Sequence, residues 1–411
     1  MKPYKIICFR FKTNYFIPKY CKKVKKRAIF EVRTTKPPAL MSKNLFNRIK
    51  KALISLQPKG IEGHALKRIT RLTALVSGMI STGSCHLNAL GSGIIEDIND
   101  ASRESAAKRF VENKYTDYNL HYLPYLTQLL ASAIALLPVG HGITLVIDGS
   151  QMGTSHVALM VSLVYGKRSI PIFWVIKKGK KGHFPTDMHL DIIRKVALIL
   201  EPIVKKGIPI TLLGDGEFDS VELQTLCREE LKWQYVFRTA CDSKLYENDD
   251  LFQPKSMLVD ENEPITFIPD LEFSDKKYPH VHFLYWHDKK IYDEPLFLIS
   301  SYDDPFDIIY FYKQRFSIET LFKDLKSRGF NLDKNRLKKA TALFNLIIIA
   351  ALGYCLLLAF GEINKDNPLK NKVLRVHKIK KCEMSIFSFG LKLLKYFLKF
   401  SKPFIFKFAL F

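Results

Sequence analysis

The pattern of apolar and polar residues changes character near residue 143. Before it, residues 64–80 carry apolar side chains at helical spacing, and residues 82–84 break the pattern. Ser102 is then a good N-cap for a further helix. After residue 143, short apolar runs separated by turn residues are typical of buried strands. The chain is therefore expected to begin with helices and continue as an α/β fold.

Five apolar runs predict the strands of this α/β part. They cover residues 143–149, 157–165, 169–176, 209–215 and 233–237, with helices at 187–201 and 221–230. Three meandering strands followed by alternating helix and strand indicate a mixed sheet flanked by helices. Residues 241–300 are polar and aromatic and predict a β-rich insertion, after which residues 307–329 predict one long helix.

Residues 340–360 contain no charged side chain and are long enough to cross a bilayer. Asn345 and the small residues in this stretch favour a helix buried in the protein core instead. The tail at residues 389–400 has lysines at helical spacing, which suits either a helix docked on the core or a membrane-surface helix. We expect the docked helix and no membrane.

Composition points to a polyanionic partner. Lys and Arg number 64 against 40 Asp and Glu, giving a formal net charge of +24. The excess is concentrated in residues 1–40 and 365–411. The 7 cysteines form no CxxC pair, which argues against a zinc ribbon and suits a reducing cytoplasm. Lys108 and Arg109 lie on the best-capped N-terminal helix, and short basic helices fit either helix-turn-helix DNA binding or a plain helical bundle.

Two acids follow apolar runs at predicted strand ends, where α/β folds bind ligands. These are Asp148 in VIDGS and Asp215 in LLGDGEF. Glu217 and Asp219 are alternatives to Asp215, which is preferred because it directly ends its apolar run.

A third group lies in the predicted long helix. Tyr312, Arg315, Glu319 and Lys326 have the spacing Y-x2-R-x3-E-x6-K. At 100° per residue they fall within about 60° of arc on one helical face. The surrounding residues are apolar, which favours an embedded helix with a polar edge on a cleft over a solvated, salt-bridged face.

With these motifs in view, the chain resembles DDE-class insertion-sequence transposases of the family with the Y-x2-R-x3-E-x6-K signature. The matching segments are LVIDGSQMG, TLLGDGEFDS and YKQRFSIETLFKDLKSRGF, in that order. The resemblance covers roughly residues 60–400. It implies an RNase H-like core, a β insertion between the second and third acids, and DNA transposition.

The resemblance also assigns roles to individual residues. Asp148, Asp215 and Glu319 would be catalytic and hold two Mg²⁺ ions, with Mn²⁺ as a substitute, since three carboxylates suit hard cations and two-metal sites serve phosphodiester displacement. Arg315 and Lys326 would hold DNA phosphates, and Tyr312 would either donate its hydroxyl group to a phosphate or stack. Trp286, in the insertion, would stack a displaced base; a buried strand tryptophan is the plainer interpretation.

Six segments follow from the patterns and the resemblance. They are a basic N-terminal extension (1–40), a helical DNA-binding domain (41–130), the first part of an RNase H-like catalytic core (131–240), the β-rich insertion (241–304), the second part of the core (305–362) and a basic C-terminal helical tail (363–411).

The function expected from the sequence is a DNA transposase that binds element ends and catalyses metal-dependent strand cleavage and strand transfer. Its partners would be double-stranded DNA, both terminal inverted repeats and target DNA, and a second copy of the chain on that DNA. The expected setting is the bacterial cytoplasm, at the nucleoid when bound. Two alternatives stay open: a catalytically silent DNA-binding repressor derived from a transposase, and another RNase H-like nuclease.

Overall fold

The structure is a computed structural model. It describes residues 39–57, 59–137, 142–179, 184–205, 207–257, 264–289, 293–373, 376–377, 380–381 and 384–410. Nearly all of the predicted N-terminal extension lies outside the described residues.

The N-terminal part is helical, as expected. Its helices are α1 (Ala39–Ile54), α2 (Gly63–Thr82), α3 (Leu87–Gly91), α4 (Asp100–Glu112), α5 (Tyr118–His121) and α6 (Leu123–Ala135). Gly83 ends α2 in the left-handed conformation, with φ at 67°, which glycine adopts without strain. The predicted cap of α4 shifts by three residues, because the side chain of Asn99 accepts the backbone N–H of Ser102.

A ten-stranded mixed sheet forms the centre of the molecule. Its strands are β1 (Ile143–Met152), β2 (His156–Tyr165), β3 (Arg168–Lys178), β4 (Ile210–Gly214), β5 (Gln234–Arg238), β6 (Leu245–Glu247), β7 (Asp250–Phe252), β8 (Ile265–Phe273), β9 (Tyr278–Trp286) and β10 (Leu296–Ser300). Their order is β3-β2-β1-β4-β5-β10-β9-β8-β6-β7. The first three strands are antiparallel, and β1, β4 and β5 are parallel. The predicted insertion continues the same sheet, because β10 pairs antiparallel with β5.

Two helices stand where the sequence predicts a single long one. They are α9 (Pro305–Tyr312) and α10 (Phe316–Leu325). Earlier in the chain lie α7 (Thr186–Leu200) and α8 (Val221–Thr225), and a π-helical turn continues α8. The prediction of one continuous helix is therefore wrong. Between α9 and α10 the backbone hydrogen bonds join residues three apart, as in a 3-10 helix, and not four apart. The N–H of Arg315 donates to the carbonyl of Tyr312 at 3.0 Å, and that of Gln314 donates to the carbonyl of Phe311 at 2.8 Å.

The apolar stretch forms α11 (Ala340–Ile363), which is buried along almost its whole length. Among the described residues it is the one helix long and apolar enough to cross a membrane, and 94% of its most apolar window is buried inside the protein. It packs against α2, α4 and β3, so that the N-terminal helices and the sheet share one hydrophobic core. The predicted core helix is thus confirmed.

The C-terminal tail docks on the core. Its elements are α12 (Lys370–Val373), β11 (Val376–His377), β12 (Lys380–Lys381) and α13 (Ile386–Lys399). Helix α13 packs against α11 and buries Phe387, Leu394 and Phe397. Lys392 and Lys399 stay exposed, which is the arrangement expected for a docked amphipathic helix.

Candidate active site

Asp148 and Asp215 lie on neighbouring parallel strands. The pairing of β1 with β4 runs from Ile143 opposite Ile210 to Val146 opposite Leu213. If this register is continued by two residues, Asp148 is level with Asp215, which directly follows the last residue of β4. The sequence predicts that β1 ends near Asp148. In the structure β1 continues to Met152, where it is still paired with β2. The two carboxylates therefore flank the point where the parallel pairing stops.

The carboxyl group of Asp148 is electrostatically strained. Its side chain is only 14% exposed. Burial first, and then the charge of Asp215, raise the pKa of Asp148 to about 7, against the opposing effect of Arg315. Such a pair of crowded carboxylates is stabilised by any cation that is placed between them.

The two alternatives to Asp215 have structural contacts of their own. Glu217 accepts the backbone N–H of Phe184 at 2.5 Å, and its Oε1 lies 3.6 Å from Nε2 of His189. Asp219 accepts the hydroxyl hydrogen of Thr239 at 2.7 Å, and burial raises its pKa. Both side chains thereby tie the loop after β4 to neighbouring elements, which favours Asp215 as the functional acid.

Arg315 joins the third acid to the first. Its Nη2 donates to Oε1 of Glu319 at 2.8 Å, and its Nη1 lies 3.9 Å from Oδ2 of Asp148. The Arg315 side chain is 10% exposed, so this contact is not a solvated surface pair. Helix α10 begins directly after Arg315, and Lys323 on that helix lies 3.6 Å from the other Glu319 oxygen.

The remaining members of the predicted stripe behave differently from one another. Tyr312 is the last residue of α9 and is buried. Burial raises the pKa of its hydroxyl group and keeps the side chain from contacting DNA in this conformation. Lys326 follows α10, and its Nζ donates to Oγ of Ser150 on β1 at 2.7 Å. The stripe is therefore not one helical face, yet Arg315 and Lys326 both reach the part of β1 that carries Asp148.

The predicted DNA-contacting residues outside the stripe are not gathered at this site. Lys108 and Arg109 are exposed on α4, whose opposite face, including Ala107, is buried. Trp286 is 3% exposed in β9, with Nζ of Lys313 5.1 Å from the centre of its ring. A base could stack on Trp286 only after this cover moves, so its contact with DNA remains a prediction.

The donor chemistry of the site fits a divalent cation in part. Within the described ranges, no three His, Cys, Asp or Glu side chains form a group that would hold a metal ion. Asp148 and Asp215 fit, because two close carboxylates are the hard oxygen donors that Mg²⁺ prefers. Glu319 does not fit in this conformation, because Arg315 and Lys323 engage its two oxygens.

Sequence reasoning missed a cleft beside Asp215. The cleft has a volume of about 420 Å³, lies where β5 meets the insertion, and is lined by residues that include Arg238, Thr239, Glu294 and Phe297. Arg238 is half-buried at the end of β5. The available signal was a basic residue directly after the predicted strand 233–237, next to the strand that precedes Asp215.

The fold combines a mixed sheet, with acids on adjacent parallel strands, and a helix that packs on this sheet and carries a third acid. Residues 179–356 match the family model of the transposase DDE domain. This part of the chain is therefore similar to transposase DDE domains. The matched segment contains Asp215 and Glu319, whereas Asp148 precedes it.

The other comparisons add little. No curated protein matches the chain. Among solved structures, an Argonaute of Aquifex aeolicus is 10% identical at a TM-score of 0.23, covering 52% of this chain and 28% of that one. A second structure of that organism's Argonaute, with externally bound siRNA, is 11% identical at a TM-score of 0.25, covering 72% of this chain and 37% of that one. The Marinitoga piezophila Argonaute, in complex with guide RNA and target DNA, is 11% identical at a TM-score of 0.21, covering 61% of this chain and 34% of that one. The chain thus spans well under half of each of these proteins, and such low TM-scores support no inference.

Proposed function

We propose that the protein is a DNA transposase that binds the ends of an insertion sequence and catalyses metal-dependent DNA strand cleavage and strand transfer. The transposase DDE domain at residues 179–356 supports the general class. The observation that carries the proposal is the meeting of Asp148 and Glu319 at the guanidinium group of Arg315, with Asp215 close enough for its charge to act on Asp148.

Each residue has a distinct role in this proposal. Asp148 and Asp215 would hold Mg²⁺ or Mn²⁺, and Glu319 would join them once it leaves Arg315. Bound in this way, divalent ions supply charge neutralisation at the reacting phosphodiester. Arg315, released from Glu319, presents a planar fork that matches a phosphate group, and Lys326 adds a second positive charge nearby.

The partners follow from the same chemistry. A net charge of +24 favours double-stranded DNA. Joining two element ends to target DNA calls for a pair of protomers, so we propose a homodimer on DNA, working in the cytoplasm at the nucleoid. Lys108 and Arg109 are the proposed contacts to the terminal repeats.

The test uses duplex DNA copied from the regions flanking the reading frame, where terminal inverted repeats belong. We expect Mg²⁺- or Mn²⁺-dependent cleavage at the repeat boundary by the wild-type protein, and its loss in Asp148→Ala, Asp215→Ala and Glu319→Ala with DNA binding retained. Glu217→Ala is the matched control beside Asp215. Near-normal cleavage by one of the three variants would remove that residue from the site, and equal loss in Glu217→Ala would move the second acid.

A second candidate, a DNA-binding repressor that no longer cuts, is favoured by one observation. Arg315 and Lys323 engage both oxygens of Glu319, which leaves the third acid unavailable to metal. Titration calorimetry with Mn²⁺ separates the candidates when it is run with and without the flanking duplex. A transposase should bind Mn²⁺ more tightly on DNA, because phosphate competes for Arg315, whereas a silent repressor should bind Mn²⁺ equally weakly in both.

A further inference from the structure

Ser150 lies close to the candidate site without having a role in it so far. It is the second residue after Asp148 on β1, and its backbone pairs with Ala158 of β2. Because side chains alternate along a strand, Ser150 and Asp148 project from the same face of the sheet. Ser150 is half-buried.

Lys326 reaches this hydroxyl group because the chain turns sharply after α10. The Lys326 backbone has φ at −90° and ψ at −117°, outside the helical region, and its carbonyl accepts the N–H of Asn331 at 2.8 Å. The side chain is thereby directed back to β1, where Nζ donates to Oγ of Ser150 at 2.7 Å. Burial lowers the pKa of Lys326, and the nearby charges of Asp333 and Asp148 counteract it.

The hydrogen-bonding capacity of the pair is only partly used. An ammonium group has three donor hydrogens, and Ser150 takes one of those on Lys326. A hydroxyl group that accepts a hydrogen bond still has its own hydrogen to donate. No acceptor for the Ser150 hydroxyl hydrogen is found among the described residues. Two donors, one of them cationic, thus stand side by side, on the face of β1 that carries Asp148.

We propose that Ser150 is a phosphate-positioning residue, which orients Lys326 and donates its own hydroxyl hydrogen to a phosphate oxygen of the DNA strand held beside Asp148. The inference rests on the proposed function, since it needs a DNA strand in the site. It adds a residue from β1 to the residues that hold the strand. Ser150 on β1 and Lys326 after α10 would then hold the DNA strand beside Asp148.

The experiment measures the affinity of a fluorescently labelled flanking duplex, without divalent metal, for wild type, Ser150→Ala, Ser150→Thr, Lys326→Gln and the double variant Ser150→Ala/Lys326→Gln. We expect Ser150→Ala to weaken binding about tenfold, as expected for a lost hydrogen bond to a charged group. Ser150→Thr keeps the hydroxyl group and should bind like wild type. The Ser150→Ala loss should shrink in the Lys326→Gln background, because the two side chains act as one unit.

Ser155→Ala is the matched control. It also removes a hydroxyl group that forms a side-chain hydrogen bond, in this case with Nδ1 of His156 at 3.1 Å and not with Lys326. Melting temperatures are recorded for every variant, and a purely structural role predicts a lower melting temperature for Ser150→Ala with unchanged affinity in the folded protein. Wild-type affinity in Ser150→Ala, or a loss equal to that of Ser155→Ala, would overturn the proposal. If the wild-type protein itself neither binds nor cleaves the flanking duplex, the proposed function fails and this role of Ser150 fails with it.

Discussion

At the scale of single residues, the site combines groups whose charges conflict. Asp148 is raised in pKa by burial and by Asp215, while Arg315 divides its guanidinium group between Asp148 and Glu319. The sequence predicts which residues meet, because acids at the ends of neighbouring strands must converge. It leaves open whether an Arg315–Glu319 pair is part of a buried site, because an i,i+4 pair of this kind also occurs on ordinary helix surfaces.

The raised pKa of Asp148 makes stability depend on pH in a defined direction. Between the ordinary aspartate pKa of 3.8 and the raised value of about 7, the folded protein holds a proton that the unfolded chain releases. The contribution of this group to stability therefore falls as pH rises through that window and is level above it. One pKa unit corresponds to about 1.4 kcal/mol, so the effect is measurable.

We expect Asp148→Asn to gain melting temperature relative to wild type as pH increases from about 4 to about 7. The measurement is thermal unfolding across this range without divalent metal. The difference between the two proteins isolates Asp148 from Asp324, whose pKa is also raised, to about 6, by burial. Asp97→Asn, at an exposed position, is the control for removing one acid. Parallel pH profiles for wild type and Asp148→Asn would contradict the burial of this carboxyl group.

At the scale of elements, the apolar runs predict the strands well, because a buried strand needs little more than a short apolar segment between turns. The break between α9 and α10 could not be predicted in this way. The sequence there keeps a helical period, but the structure has a tighter turn at this point, in which Tyr312 and Arg315 are both buried. The pairing of β10 with β5 was equally hidden, since strand pairing over long sequence distances leaves no local pattern.

The contact between α11 and α13 depends on two glycines. A Cβ atom at Gly390 would lie 2.3 Å from the carbonyl oxygen of Leu357, and one at Gly361 would lie 2.4 Å from that of Ile386. These are backbone atoms that cannot rotate away. The helices therefore approach each other more closely than any side chain allows.

We expect Gly390→Ala to destabilise the protein by about 1–3 kcal/mol, the usual cost of overpacking a core. Helix propensity alone predicts the opposite sign, because alanine is favoured over glycine in a helix by about 1 kcal/mol. Denaturant unfolding decides between the two. Lys392→Ala, at an exposed position of the same helix, is the control and should be close to neutral. A stabilised Gly390→Ala variant would show that α13 does not pack on α11 in this way.

At the scale of the whole molecule, one core joins parts that the sequence suggests are separate. Helix α11 contacts the N-terminal helices, the sheet and α13, so that these parts share one hydrophobic core. The proposed boundary at residue 130 therefore marks a change of secondary structure within a shared core. The formal net charge of the sequence, +24, suits binding to an extended polyanion.

The whole-molecule charge makes a prediction about where DNA is held. If Lys108 and Arg109 contact phosphates of the element end, each lost contact should reduce the slope of log K against log salt by about 0.9. The double variant Lys108→Gln/Arg109→Gln should then bind the flanking duplex more weakly, with a slope lower by about 1.8. Lys205→Gln/Lys232→Gln removes the same charge from exposed positions elsewhere and should change the slope much less. Equal salt slopes in the two double variants would mean that only net charge matters, and α4 would then be a helix of the shared core with no part in recognising the ends.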